Sequence, residues 1–118
     1  RPRASAAARP AVLFLHGAGE RGRDNAAHLR DAMRFAAGVP EPCFVLAPQC
    51  PLERRWVEVH WGDASHELPS EPSAPLVLAM RALDELLRDE TTVDPARIYL
   101  VGVSMGAFGT WDALARWP

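Results

Sequence analysis

The sequence predicts an α/β protein whose core is an open parallel sheet with helices on both faces. Two observations carry that expectation. Three short segments, at residues 11–15, 43–47 and 97–103, the last with its apolar run at 98–101, have the length and hydrophobicity of strands buried on both sides. Each is followed by a segment with helical spacing, and strands alternating with helices imply parallel units joined by right-handed crossovers. No internal repeat interrupts the pattern.

The elements follow in order. Residues 1–9 carry four alanines and three arginines without periodicity and read as a linker or disordered start, so the folded portion is expected over residues 10–118. The first strand runs from Ala11 to Leu15, before His16-Gly17, and residues 17–24 form a glycine-rich loop. Asp24 or Asn25 caps a helix whose apolar positions Leu29, Ala32, Met33 and Ala36 keep the i, i+3, i+4, i+7 spacing, with Gly38 and Pro40 ending it. After the second strand, residues 48–72 hold prolines, Trp56, Trp61 and the pair Arg54-Arg55 without any sustained period, which predicts a long irregular excursion. Ser73 then caps a helix over residues 74–88, since Leu76, Ala79, Met80, Leu83, Leu86 and Leu87 make one stripe. Residues 91–95 read as a turn and residues 107–116 as a last helix with Phe108, Trp111 and Ala115 on one side.

Bulk properties exclude several classes of function. All 13 basic residues are arginine, interspersed among 15 acids, and a net charge of −2 offers no footprint for nucleic acid. No apolar run approaches the roughly 20 residues needed to span a bilayer. Cys43 and Cys50 flank an extended segment that holds them about 23 Å apart, too far for a disulfide, and free thiols favour a reducing, cytoplasmic compartment.

Chemistry concentrates in Gly102-Val103-Ser104-Met105-Gly106, which sits between the third strand and the last helix. A serine on such a sharp turn is exposed and strained, and small neighbours two positions away leave it room. The helix that follows turns its first amides, Met105 among them, toward the place where an oxyanion would form. The loop His16-Gly17-Ala18-Gly19-Glu20-Arg21-Gly22 leaves the sheet at the same carboxyl edge, where open α/β sheets place their sites. An acyl group on Ser104 needs a second amide donor, for which Ala18 is the first candidate and Gly19 the second. The loop lacks the Lys-Ser/Thr of a phosphate-binding loop and the full dinucleotide fingerprint.

His16 to Gly22, Ala47-Pro-Gln-Cys-Pro51, Val93-Asp-Pro-Ala-Arg-Ile-Tyr-Leu100 and Gly102-Val-Ser-Met-Gly-Ala-Phe-Gly-Thr-Trp111 together resemble the bacterial α/β-hydrolases of the phospholipase/carboxylesterase group. That group is related to dienelactone hydrolases, feruloyl esterases and polyhydroxybutyrate depolymerase-like esterases. The resemblance implies a partial α/β-hydrolase fold, a serine esterase acting on a small-molecule ester, Ser104 as nucleophile, Met105 and the Ala18 region as oxyanion donors, and no metal or cofactor. In such enzymes the acid and the histidine follow the nucleophile, so both are expected beyond Pro118.

The histidines present all precede Ser104. His16 is expected to pin the loop after the first strand, His28 to lie on a helix surface, and His60 and His66 to lie in the excursion. Asp94 before Pro95 reads as a turn cap. Trp56 and Trp61, with Asp63, are candidates for a substrate pocket, against packing as the alternative. Glu20 and Arg21 suit a loop-bracing ion pair. Alternatives to the esterase are a peptidase or thioesterase of the same fold, or a non-catalytic chain that needs a partner to supply further strands. One uncovered sheet edge would favour self-association.

Overall fold

The computed structural model describes residues 8–117; the expected linker up to residue 7 lies outside the described residues. Three strands, β1 (Arg9–Leu15), β2 (Phe44–Leu46) and β3 (Val93–Gly102), alternate with three helices, α1 (Leu29–Gly38), α2 (Ala74–Asp89) and α3 (Met105–Arg116). All pairings are parallel, in the order β2-β1-β3. β1 is therefore central and almost wholly buried, in keeping with its unbroken apolar run. Each outer strand has one side without a strand partner among the described residues, so two edges are uncovered where one was expected.

Alternation along β1 assigns the layers. Leu13 and Leu15 point into a core made with Leu76, Ala79 and Leu83 of α2 and Met105 and Ala113 of α3. Phe14, on the opposite face, meets Phe35 of α1 with ring centroids 5.8 Å apart. Helices thus cover both faces, as right-handed crossovers require. No helix among the described residues is long and apolar enough to cross a membrane.

Several boundaries differ from the expectation for local reasons. α1 starts only at Leu29: Asp24 Oδ1 does accept the Ala26 and Ala27 N–H groups, but Asn25 sits at φ +53°, which breaks the helical path. Its apolar stripe is only partly used, since Ala32 is buried while Met33 is 68% exposed. α2 matches closely, with Ser73 Oγ accepting the Leu76 N–H at 3.2 Å. β3 begins at Val93 rather than Arg97, because Val93 pairs with Arg9 before an irregularity in the ladder; there Asp94 accepts the Ala96 N–H and binds Arg97. α3 buries Met105, Gly106, Gly109, Asp112 and Ala113, not the Trp111 side, and Trp111 is 74% exposed. Both cysteines are free; burial pushes the Cys50 thiol up to about 11, so it stays protonated and inert at neutral pH.

Candidate functional site

Ser104 occupies the junction between β3 and α3 at φ +53°, ψ −113°, a conformation that L side chains rarely adopt. The neighbouring glycines explain how the chain makes this turn. A Cβ on Gly102 would stand 2.2 Å from Gly106 O, and one on Gly106 would stand 1.9 Å from Leu15 O. Backbone cannot yield at such distances, so both positions exclude any side chain. Gly109, one helical turn on, extends the same close approach: its Cβ would lie 2.8 Å from Trp56 Cβ and 2.9 Å from Leu15 Cδ1. The glycines let α3 sit directly on the end of β1, while Ser104 itself remains exposed.

The loop after β1 is the nearest neighbour. A Cβ on Gly17 would be 3.7 Å from Ser104 Cβ and 3.5 Å from Val103 O, and Val103 N–H donates to Leu15 O at 3.2 Å. Ala18–Glu20 form a single 3₁₀ turn, closed by Glu20 N–H to Gly17 O and Arg21 N–H to Ala18 O. The first amides of such a turn, Ala18 and Gly19, have no intrahelical acceptor, and the same holds for Met105 at the start of α3. Ser104, Met105 and the Ala18–Glu20 turn are thus brought to one carboxyl edge of the sheet.

The loop is held by side chains, and not by the ion pair expected of Glu20 and Arg21. Glu20 Oε1 instead accepts the Gly17 N–H at 3.1 Å. Arg21 donates to Ala18 O and to Arg54 O, both at 3.0 Å, tying loop to excursion. Gln49, from the segment after β2, donates to Glu20 O and Asp24 Oδ1 and accepts from Asn25 N–H. The sequence marked Gln49 only through the Ala47–Pro51 block.

His16 is 1% exposed and spends both ring nitrogens. Cys50 N–H donates to Nε2 at 2.9 Å, which leaves the proton on Nδ1, 2.6 Å from Gly17 O. Burial, more than any neighbouring charge, holds its pKa below the usual histidine value. His28 departs from the expected surface position. It is fully buried, holds the position just before α1 without a capping hydrogen bond, stands edge-on to His16, and bonds through Nε2 to Ala47 O. Helical spacing could not reveal this, because His28 precedes the first turn. His60 and His66 are exposed and linked by His66 Nε2–H to His60 O, with His66 edge-on to Phe108.

The two tryptophans separate. Trp56 is 1% exposed, donates Nε1–H to His16 O at 3.0 Å and packs on Gly109, so packing accounts for its contacts. Trp61 is partly exposed between the guanidinium groups of Arg55 and Arg21, 4.5 and 5.6 Å from its ring centroid. Asp63 is exposed, 3.7 Å from His60 Nδ1. Two cavities among the described residues, of about 550 and 210 Å³, have neither Ser104 nor the Ala18 turn in their walls; Trp56 borders the larger. No three His, Cys, Asp or Glu side chains converge as a metal site among the described residues.

No protein-family model matches the chain, and no curated protein matches it. A solved structure does: a thermostable esterase, 41% identical, with a TM-score of 0.75 over 94% of this chain. The chain spans 30% of that esterase's length. At that identity this portion is similar to an esterase, and the three-stranded parallel sheet with its helices fits a partial α/β-hydrolase fold.

Proposed function

We propose that Ser104 is the nucleophile of a serine hydrolase that cleaves carboxylic esters of small-molecule substrates. In this reading Ser104 Oγ attacks the ester carbonyl, the Met105 amide and the Ala18 amide, or that of Gly19 next to it, hold the oxyanion, and an acyl-enzyme forms and is hydrolysed. One observation carries the reading: an exposed serine at positive φ, heading a helix and packed against the Gly17 loop, in a chain that shares 41% of its residues with part of an esterase. The strain costs on the order of 1–3 kcal/mol and has no evident packing benefit, which favours a functional reason for it.

The triad's acid and histidine are proposed to come from outside these 118 residues. His16 has no nitrogen left for Ser104, His28 is fully enclosed, and in the excursion His66 Nε2–H donates to the His60 carbonyl while His60 Nδ1 accepts the Gly62 N–H. The same observation favours a second reading, in which the 118 residues alone turn over slowly or not at all. Oxyanion donors without a base leave an acceleration on the order of 10³ over water. Trp61, joined to the Ala18 turn through Arg21, is the better candidate for a substrate contact, and Trp56 acts through packing.

Release of p-nitrophenol from p-nitrophenyl acetate tests both readings. A burst that is lost in Ser104→Ala supports the acyl-enzyme. Release above background that Ser104→Ala leaves unchanged would remove Ser104 from the chemistry, and no release from either protein would favour the second reading.

A further inference from the structure

The peptide between Gly17 and Ala18 is held by its carbonyl from below. His16 Nδ1 lies 2.6 Å from Gly17 O, and the ring can donate there only because Cys50 N–H occupies Nε2 at 2.9 Å. A backbone amide never accepts, so this bond dictates the tautomer of His16. A trans peptide points its C=O and N–H in opposite directions, and no cis bond occurs among the described residues. Pinning Gly17 O against the buried imidazole therefore turns the Ala18 N–H away from the ring. The imidazole itself is locked in place: Trp56 Nε1–H bonds the His16 carbonyl, with the Trp56 ring 5.3 Å away, and His28 stands edge-on at 5.6 Å.

We infer that His16 is a positioning residue for the oxyanion loop, its tautomer set by the Cys50 amide and its Nδ1–H aiming the Ala18 amide at the acyl group on Ser104. The inference rests on the ester-hydrolase reading for its consequence but not for its geometry. It runs from the segment after β2 through one side chain to the loop after β1, so a shift of the Cys50 backbone or a change at Trp56 reaches Ala18 without touching Ser104. Protonation of His16 would place a hydrogen on Nε2 facing the Cys50 N–H and break the relay. The groups that bear on this step are His28 beside the ring, Glu20 and Arg21 on the loop, and the backbone at Gly17.

Long-range ¹H–¹⁵N correlation of the imidazole nitrogens tests the relay in the unaltered chain and needs no activity. The expected result is His16 as the Nδ1–H tautomer at neutral pH, with the Ala18 and Cys50 amide resonances moving on acidification at the His16 midpoint while the fold persists. An Nε2–H tautomer, or an Ala18 amide indifferent to the His16 titration, would overturn it. His16→Asn keeps a donor where Nδ1 stood and His16→Gln keeps a group at Nε2 only. Phosphonylation of Ser104 by a fluorophosphonate is expected to slow in His16→Gln by up to the roughly 10²-fold that loss of one oxyanion donor costs, with recovery in His16→Asn. Equal rates in the two variants would contradict the positioning role. If Ser104 does not react even in the wild type, the second reading holds, in which these 118 residues lack the base that activates the serine, and the spectra still decide the relay.

Discussion

The turn at Gly102–Gly106 and the excursion over residues 48–72 are both irregular backbone, yet they are held by opposite means. At the turn the chain is fixed by exclusion: Gly102 and Gly106 lie so close to Gly106 O and Leu15 O that no side chain fits. The excursion is fixed by long polar arms that reach its carbonyls. Ser73 Oγ–H donates to Trp56 O, Arg21 to Arg54 O, and Arg116 to Pro69 O and Ser70 O. Short-range exclusion leaves a signature in adjacent residues, whereas a polar anchor comes from tens of residues away. The first region should therefore break at single atoms, and the second should loosen in stages.

The largest effect is expected at Gly106. Gly106→Ala should cost at least about 3 kcal/mol, or abolish folding, because the added methyl meets backbone that cannot retreat. Gly38→Ala is the control: nothing lies within 4 Å of its added Cβ, and the same substitution in a helix should stabilise by about 0.5–1 kcal/mol. Urea unfolding of the two variants measures both, and equal effects would undo the exclusion argument.

Next comes the anchor of the excursion. Asp112 is 2% exposed, and its Oδ1 pairs with Arg116 Nε at 2.5 Å. Arg116→Ala leaves that carboxylate buried without its cation and frees two carbonyls, at a cost of about 3 kcal/mol. Adding Asp112→Ala should recover part of the loss, which a double-mutant cycle reads directly. A smaller step is Trp56→Phe, which keeps most of the packing but strands the His16 carbonyl, at about 1–2 kcal/mol by thermal unfolding.

How much of this was legible in sequence follows the same division. The strand-helix alternation, the Ser73 cap and the Gly-x-Ser-x-Gly turn were readable because each is written in neighbouring residues. The buried face of α3 was not: Phe108 and Trp111 look like a core stripe, but Gly106 and Gly109 bring the opposite side onto β1, and bulk yields to close approach. His28 looked like surface because it stands just ahead of the helix, and only the fold carries Ala47 and His16 to it. Glu20 and Arg21 suggested mutual pairing, yet backbone groups within reach took both side chains.

Ser104 itself should show a small effect of the opposite sign. Ser104→Gly relieves the positive φ and is expected to stabilise by about 1 kcal/mol in urea unfolding while removing the reactive hydroxyl. His16 adds a shallow pH dependence. Its pKa is depressed by burial in the folded state, so the unfolded chain binds the proton first as pH falls. Stability is full above about pH 6.5, the unperturbed histidine value, and declines as pH drops toward the folded pKa. His16→Asn should flatten that decline, and thermal unfolding between neutral and mildly acidic pH measures the slope.

Intact-mass analysis after exposure to a fluorophosphonate, with the segment that supplies the acid and histidine present, reads the central assignment most directly, because the reagent selects an exposed serine that a base activates and oxyanion donors face. The expected result is one adduct, mapped to Ser104, formed faster than on any other serine and absent from Ser104→Ala. An unmodified Ser104, or adducts spread over Ser65 and Ser70 at comparable rates, would contradict it.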